Sequence, residues 1–225
     1  MSLALIVNLP TAILSTYLFA LTFLVIFSFH RVLMVIRAYR YRTVFSQKRP
    51  YSSFEELPKI TVQLPIFNEF NVVERLLDAI AQLEYPRDKL EIQVLDDSSD
   101  ETQLVCKAKV EALKRQQFDI HYLHRDNRQG FKAGALDYGL ETASGSLVAI
   151  FDADFIPPPK TLLRMVGYFV DPNIAMVQAR WGHVNRHYSS LTELQALIVD
   201  AHFLIEQAAR YYAGVFFSFN GTAGK

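Results

Sequence analysis

Leu147-Val148-Ala149-Ile150-Phe151-Asp152-Ala153-Asp154 is the stretch on which the fold of this chain turns. An apolar, β-prone run ends there in two carboxylates separated by one alanine. The run has the pattern of a strand buried on both faces of a parallel sheet. Open α/β sheets place their ligands at the carboxyl ends of such strands. Two aspartates at i and i+2 in that position suit a hard divalent cation, which can in turn hold phosphate oxygens. The same pair also suits an ordinary turn or helix cap, because Asp is common where strands end. The rest of the chain has to separate the two.

Upstream, residues 59–64 (Lys59-Ile60-Thr61-Val62-Gln63-Leu64) form a first strand pattern stopped by Pro65. Asn71 followed by Glu74 predicts a capping-box-like helix start, and Val72, Val73, Leu76, Leu77, Ile80 and Leu83 fall on one face of that helix. Tyr85-Pro86 ends it. Residues 90–95 predict a second strand, 101–117 a helix and 120–123 a short strand. A polar loop over 124–130 leads into a helix reaching Glu141. The opening strand is the fourth. Beyond Pro157-Pro158-Pro159 come a helix over 160–169, a fifth strand over 174–179 and a long helix over 191–212. Asp100 and Glu101 favour the N-terminus of the helix they precede.

This alternation predicts an α/β domain with a mostly parallel central sheet. Asn68-Glu69, Asp96-Asp97, the basic loop over 125–132 and Asp152/Asp154 all follow strands. Carboxyl ends of parallel strands share one edge, so these clusters converge on one crevice.

Composition narrows what that crevice can serve. Residues 1–54 hold six basic and no acidic side chains, which leaves 17 basic against 23 acidic in the remainder. A net −6 domain is not a nucleic-acid binder by bulk electrostatics. The single Cys106 excludes an internal disulfide and a cysteine zinc cluster, and reads as a small buried hydrophobe on a helix. The six histidines lack ligand spacing. No G-x-G-x-x-G follows the first strand and no P-loop is present, which disfavours a nicotinamide-binding Rossmann domain and a P-loop enzyme. A phospho-acceptor receiver would leave the apolar N-terminus and the long chain past strand five unexplained.

From Leu3 to Ile36 the chain is almost wholly apolar, and 11–29 carries no charge. That is enough for one transmembrane helix, which needs about 20 residues. A cleaved signal peptide fits less well, for want of a basic n-region and because the run is too long. A soluble helix would show a polar face. Arg31, Arg37, Arg40, Arg42, Lys48 and Arg49 follow the run, and positive flanks stay cytoplasmic. The expected division is therefore a transmembrane helix and flank over 1–38, a basic linker over 39–58 and a soluble domain over 59–225. Tyr39 and Tyr41 fit an interfacial anchor.

Carboxylates beside a Lys/Arg loop suit a nucleotide-diphosphate ligand: Asp152 and Asp154 hold a cation, the cation bridges the phosphates, and basic groups neutralise the rest. Departure of a diphosphate is where charge develops, so stabilisation there accelerates reaction. The order Pro65-x-x-Asn68-Glu69, Asp96-Asp97-Ser98, Gly130-x-Lys132-Ala133-Gly134-Ala135-Leu136 and Asp152-Ala153-Asp154 resembles glycosyltransferase family 2, with its GT-A fold. Val177-Gln178-Ala179-Arg180-Trp181, then Asp200-x-His202-Phe203, Glu206-Gln207 and Phe219-Asn220-Gly221-Thr222-Ala223-Gly224, are similar to the cellulose-synthase-like group, in particular glucomannan 4-β-mannosyltransferases and their bacterial relatives. The resemblance covers roughly 59–224.

It implies a membrane-bound inverting enzyme moving a hexose from GDP-mannose or UDP-glucose to a growing β-linked polysaccharide. Transfer to a lipid acceptor and a nucleotide-sugar-binding fragment without turnover are the alternatives. By the same resemblance Pro65, Asn68 and Glu69 belong to the donor site, and Asp96 and Asp97 contact base and ribose. Asp152 lies against ribose and phosphates, Asp154 ligates Mg²⁺ or Mn²⁺ with Asp152 beside it, and Lys132 supports carboxylates or diphosphate. Trp181, Asn220, Gly221 and Thr222 face the acceptor. The implied location is a membrane, the bacterial inner membrane, with the catalytic domain cytosolic. Members of the group continue into a segment carrying the catalytic base and then a Q-x-x-R-W segment. Neither occurs before Lys225, and Gln178-Ala179-Arg180-Trp181 lacks the required spacing. The general base, worth about 10²–10⁴ in rate, is thus expected beyond Lys225, in a longer protein.

Overall fold

The computed structural model describes residues 3–46, 54–216 and 218–222. They fall into two compact units, Met1–Lys48 with Asn185–Ser218 and Arg49–Val184 with Phe219–Lys225.

The second unit is built on a parallel sheet of β1 (Ile60–Ile66), β2 (Leu90–Asp96), β3 (Asp119–His124) and β4 (Leu147–Ile150), in the order β3-β2-β1-β4. Helices α2 (Val73–Ala81), α3 (Thr102–Arg115) and α4 (Phe131–Leu140) connect the strands, and α5 (Thr161–Val166) follows β4. The register pairs Val62 with Ile92 and Ala149, and Gln63 with Gln93 and Ile150. Val62, Leu64, Ile92 and Val94 point one way and form the core with Val73, Leu76, Leu77 and Ile80 of α2 and Cys106 and Val110 of α3. Alternation along a strand sends the odd-numbered residues to the other face.

That other face is polar and buried. The Thr61 hydroxyl donates to Glu91 at 2.5 Å, and the Ser144 backbone N–H and hydroxyl reach the same carboxylate at 2.8 and 2.9 Å. The Gln63 amide donates to the Gln93 carbonyl oxygen and to the Leu136 backbone carbonyl, and Gln93 donates to Thr142. Burial pushes the Glu91 carboxyl up, but the three hydrogen bonds it accepts from Thr61 and Ser144, with the charge of His121, hold it below the usual carboxylate range. Gly145 makes this closure possible: a Cβ there would lie 2.4 Å from the Thr61 nitrogen.

β1 runs through Pro65 instead of stopping before it. The Gln63 carbonyl accepts from Phe151 on the β4 side. Pro65, two residues on, faces the same way, past the end of β4, so its missing N–H deprives no partner. Residues 174–179, expected as a fifth strand, are not paired, and β4 is the sheet's edge among the described residues. β4 is only four residues long. Ala175, Met176 and Val177 line an apolar groove of about 150 Å³ together with Leu147–Ile150, so their side chains pack where a ladder of hydrogen bonds was expected. The N-cap of α2 is Val72, with no side-chain cap, not Asn71; the Val72 and Val73 N–H groups donate to the Glu69 carbonyl. Asp100 lies one residue before the N-cap of α3, Glu101, which has no side-chain cap of its own, and accepts from the Thr102 N–H at 3.0 Å.

In the first unit, α1 (Leu3–Ser46) contains a 34-residue segment, Asn8–Tyr41, long and apolar enough to cross a membrane. The expected linker is helical as far as Ser46, and its Pro50, Ser52 and Ser53 lie outside the described residues. Ser189 and Thr192 form a reciprocal capping box at the start of α6 (Ser190–Ala201), which passes through a π turn (His202–Gln207) into α7 (Ala208–Tyr212). The single helix expected over 191–212 is therefore continuous but locally widened. Arg31 pairs with Glu206 at 2.9 Å and Tyr41 stacks on Tyr212 with ring centroids 5.2 Å apart.

Candidate active site

At the carboxyl edge of the sheet, one cavity of about 360 Å³ is lined by Pro65, Phe67, Glu69, Asp97, Arg128, Lys132, Asp152 and Asp154 among others. Residues from the ends of β1, β2 and β4, from the loop after β3 and from the first turn of α4 thus meet in one place, as strand polarity dictates.

The two neighbouring aspartates after β2 part company. Asp96 shares the parity of Ile92 and Val94, so its carboxylate turns into the α3 face, fully buried. It accepts from the Tyr122 hydroxyl at 2.6 Å and the Ser98 N–H at 2.9 Å. Asp96, expected beside base and ribose, is enclosed and partnered here and does not line the cavity. Asp97, one residue on, faces the cavity and is gripped by the Arg125 guanidinium at 2.8 and 2.5 Å. This fork-on-fork pair is the strong geometry for an ion pair. Asn68 sits at φ 54, a conformation Asn tolerates, and clasps the neighbouring loop: its N–H donates to the Ser98 hydroxyl and its side-chain oxygen accepts from the Ser99 N–H. It does not line the cavity.

Lys132 links three segments. Its ammonium donates to the Asp152 carboxylate and, at 2.7 Å, to the Gly221 carbonyl. The Asp152 N–H donates to the Thr222 hydroxyl at 3.1 Å, which in turn donates to the Ile150 carbonyl at 3.3 Å. The Asn220 N–H donates to the Gln178 side chain at 2.9 Å. Residues 220–222 are thereby fastened to the end of β4, while Ala223 and Gly224 lie outside the described residues. Trp181 packs edge-on against Phe155, with centroids 5.4 Å apart.

Asp154 is exposed and makes no hydrogen bond or ion pair among the described residues. Its charge is felt nearby. Burial, then Asp154 and Asp152, pushes the Glu69 carboxyl above its usual value. Burial also raises Asp152, Lys132 pulls it back, and Asp154 raises it again. Partly buried like charges left short of counter-charge fit a divalent cation, and an all-oxygen donor set suits Mg²⁺ or Mn²⁺ over softer ions. Among the described residues no three His, Cys, Asp or Glu side chains gather closely enough to cage an ion. Asp152 and Asp154 fit a cation that takes its remaining ligands from phosphate and water.

One cavity residue carries no spacing signal in the sequence. The Arg128 guanidinium lies 3.3 Å from the centroid of Phe67 and 5.2 Å from that of Phe131. Its position follows from a turn in which the Phe131 N–H donates to the Arg128 carbonyl, with Gly130 at φ 72 and Phe131 at φ 51.

Residues 61–220 match the family described as glycosyl transferase family 2. A probable glucomannan 4-beta-mannosyltransferase 7 of Oryza sativa subsp. japonica is 45% identical over 174 residues, 75% of this chain and 30% of that protein. Glucomannan 4-beta-mannosyltransferase 2 of Arabidopsis thaliana is 39% identical over 193 residues, 84% of this chain and 36% of its own length. The chain thus spans about a third of these relatives. Among solved structures, a mannosyltransferase from Pyrobaculum calidifontis in complex with GDP-Man and Mn²⁺ is similar with a TM-score of 0.59 and 28% identity, covering 70% of this chain and 46% of that one. With a parallel α/β sheet of the GT-A type and a match over most of its length, the chain belongs to glycosyl transferase family 2.

Proposed function

We propose that this chain is the donor-binding part of a membrane-anchored inverting hexosyltransferase that extends a β-linked polysaccharide from a nucleotide-diphospho-sugar. The observation that carries it is the convergence of Asp97, Lys132, Asp152 and Asp154 on one cavity, with Gly221 and Thr222 bonded to its Lys132 and Asp152. Asp152 and Asp154 would hold Mg²⁺ or Mn²⁺, and a cation bound there supplies charge for the departing diphosphate. Lys132 holds Asp152 and Gly221 together, so donor-side and acceptor-side segments move as one. Asp97, fixed by Arg125, would meet the nucleoside. Glucomannan-synthesising relatives support a β-mannan product, and the Pyrobaculum enzyme's ligands support GDP-mannose with Mn²⁺. Asn8–Tyr41 supports an anchor, with the domain over 59–225 on the side of its basic flank.

Calorimetric titration of GDP-mannose and UDP-glucose in the presence of Mn²⁺ tests this. Asp154→Ala is expected to weaken metal-dependent donor binding about 100-fold, roughly 2.7 kcal/mol. Failure of both donors to bind, or unchanged binding by the variant, would sink the donor-site reading.

A further inference from the structure

We propose that Arg128 is the anion-binding group of this cavity and takes the diphosphate of the nucleotide through its guanidinium edge; this rests on the donor-site reading above. The loop over 125–132 brings three cationic side chains to or beside the cavity, and two are already committed. Arg125 gives its fork to both Asp97 oxygens and further N–H groups to the Gln129 and Phe131 carbonyls. Lys132 gives its ammonium to Asp152 and to the Gly221 carbonyl. Arg128 lines the same cavity and, among the described residues, is bonded to no carboxylate and no carbonyl through its side chain.

What holds Arg128 is not another charge but a ring. The guanidinium carbon lies 3.3 Å from the Phe67 centroid, too close for an edge-on approach, so the group stacks on the ring with its face covered and its in-plane N–H groups pointing outward. That is a fixed cation with uncommitted donors, facing a cavity whose carboxylates favour a bound dication. A planar fork matches two phosphate oxygens, which a point-charge ammonium does not. The stack over Phe67 places the guanidinium before any ligand arrives, so less side-chain freedom is lost on binding. A nucleoside carries no anion for this group. A diphosphate does.

The test uses the whole chain in detergent with Mn²⁺ and two probes, inorganic pyrophosphate and GDP. Arg128→Met keeps an apolar stem over Phe67 and removes the fork; Arg128→Lys keeps the charge. The expected result is at least a 10-fold loss of pyrophosphate and GDP affinity in Arg128→Met, a smaller loss in Arg128→Lys, and unchanged melting temperatures. Wild-type binding matched by Arg128→Met overturns the assignment while leaving the donor-site reading intact. A loss for GDP with pyrophosphate unaffected also overturns it, since Arg128 would then meet the base. Absence of binding of either probe to the wild type overturns both.

Discussion

The amino and carboxyl ends of the same four strands treat polar groups in opposite ways. Towards the amino end, Thr61, Glu91 and Ser144 close on one another beneath the chain that follows α4, and Glu91 is 3% exposed. At the carboxyl edge, Asp154 and Arg128 are left without hydrogen-bonding side-chain partners among the described residues, and Asp152 has one lysine. Buried polar groups that are satisfied make a core specific. Groups left open at a strand end stay available to a ligand. The two ends should therefore fail differently: one in stability, the other in binding.

The largest effect is expected at the closed end. Glu91→Ala strands the Thr61 hydroxyl and the Ser144 N–H and hydroxyl, and should destabilise the domain by about 3 kcal/mol or more. Thermal unfolding checks this, and the protein that remains folded should bind GDP with wild-type affinity. A loss of affinity without a loss of stability would break the comparison.

Alkaline unfolding is the intermediate case. Burial pushes the Cys106 thiol and the Tyr85 phenol each up to about 12, from ordinary values of 9.0 and 10.0. Both groups are neutral below their ordinary values, so their contribution to stability is complete there. It falls as pH rises from about 9 through 12, because the unfolded chain releases these protons first. Chemical denaturation between pH 8 and 11 should show the decline, with a shallower slope in Tyr85→Phe.

The smallest effect on stability is expected at the open end. Asp154→Asn removes a charge that raises two neighbouring carboxyls and should leave the melting temperature unchanged or slightly higher, within about 0.5 kcal/mol. A marked loss of stability would show Asp154 to be structural.

The strands β1 to β4 are legible in the sequence as short β-prone apolar runs set between helix-period segments, but burial on both faces holds only for β1 and β2; β3 and β4 are partly open, with Val148 40% exposed. Residues 174–179 carry the same apolar signature, yet pairing needs a neighbouring ladder, and β4 offers only four residues of edge. Asn71 looks like a cap, but the Glu69 carbonyl takes the first N–H groups instead. The site is legible as a set of strand ends. Its fine assignment is not, since Asp96 and Asp97 are adjacent and identical in type, and only the strand's two-residue alternation sends one into the core and the other into the cavity. The basic loop over 125–132 is visible as a whole, but which of its cations stays open is not, because a long side chain stacked on a ring follows no spacing rule.

Cys106 has a practical consequence. It is the chain's single thiol, shows no exposed surface and stays protonated well above neutral pH. Maleimides react with accessible thiolates, so the native chain is a silent background for site-directed labelling. A fluorophore or spin label on a cysteine introduced beside the cavity would report from that address alone, and the arrival of a nucleotide could be followed without first deleting a native cysteine.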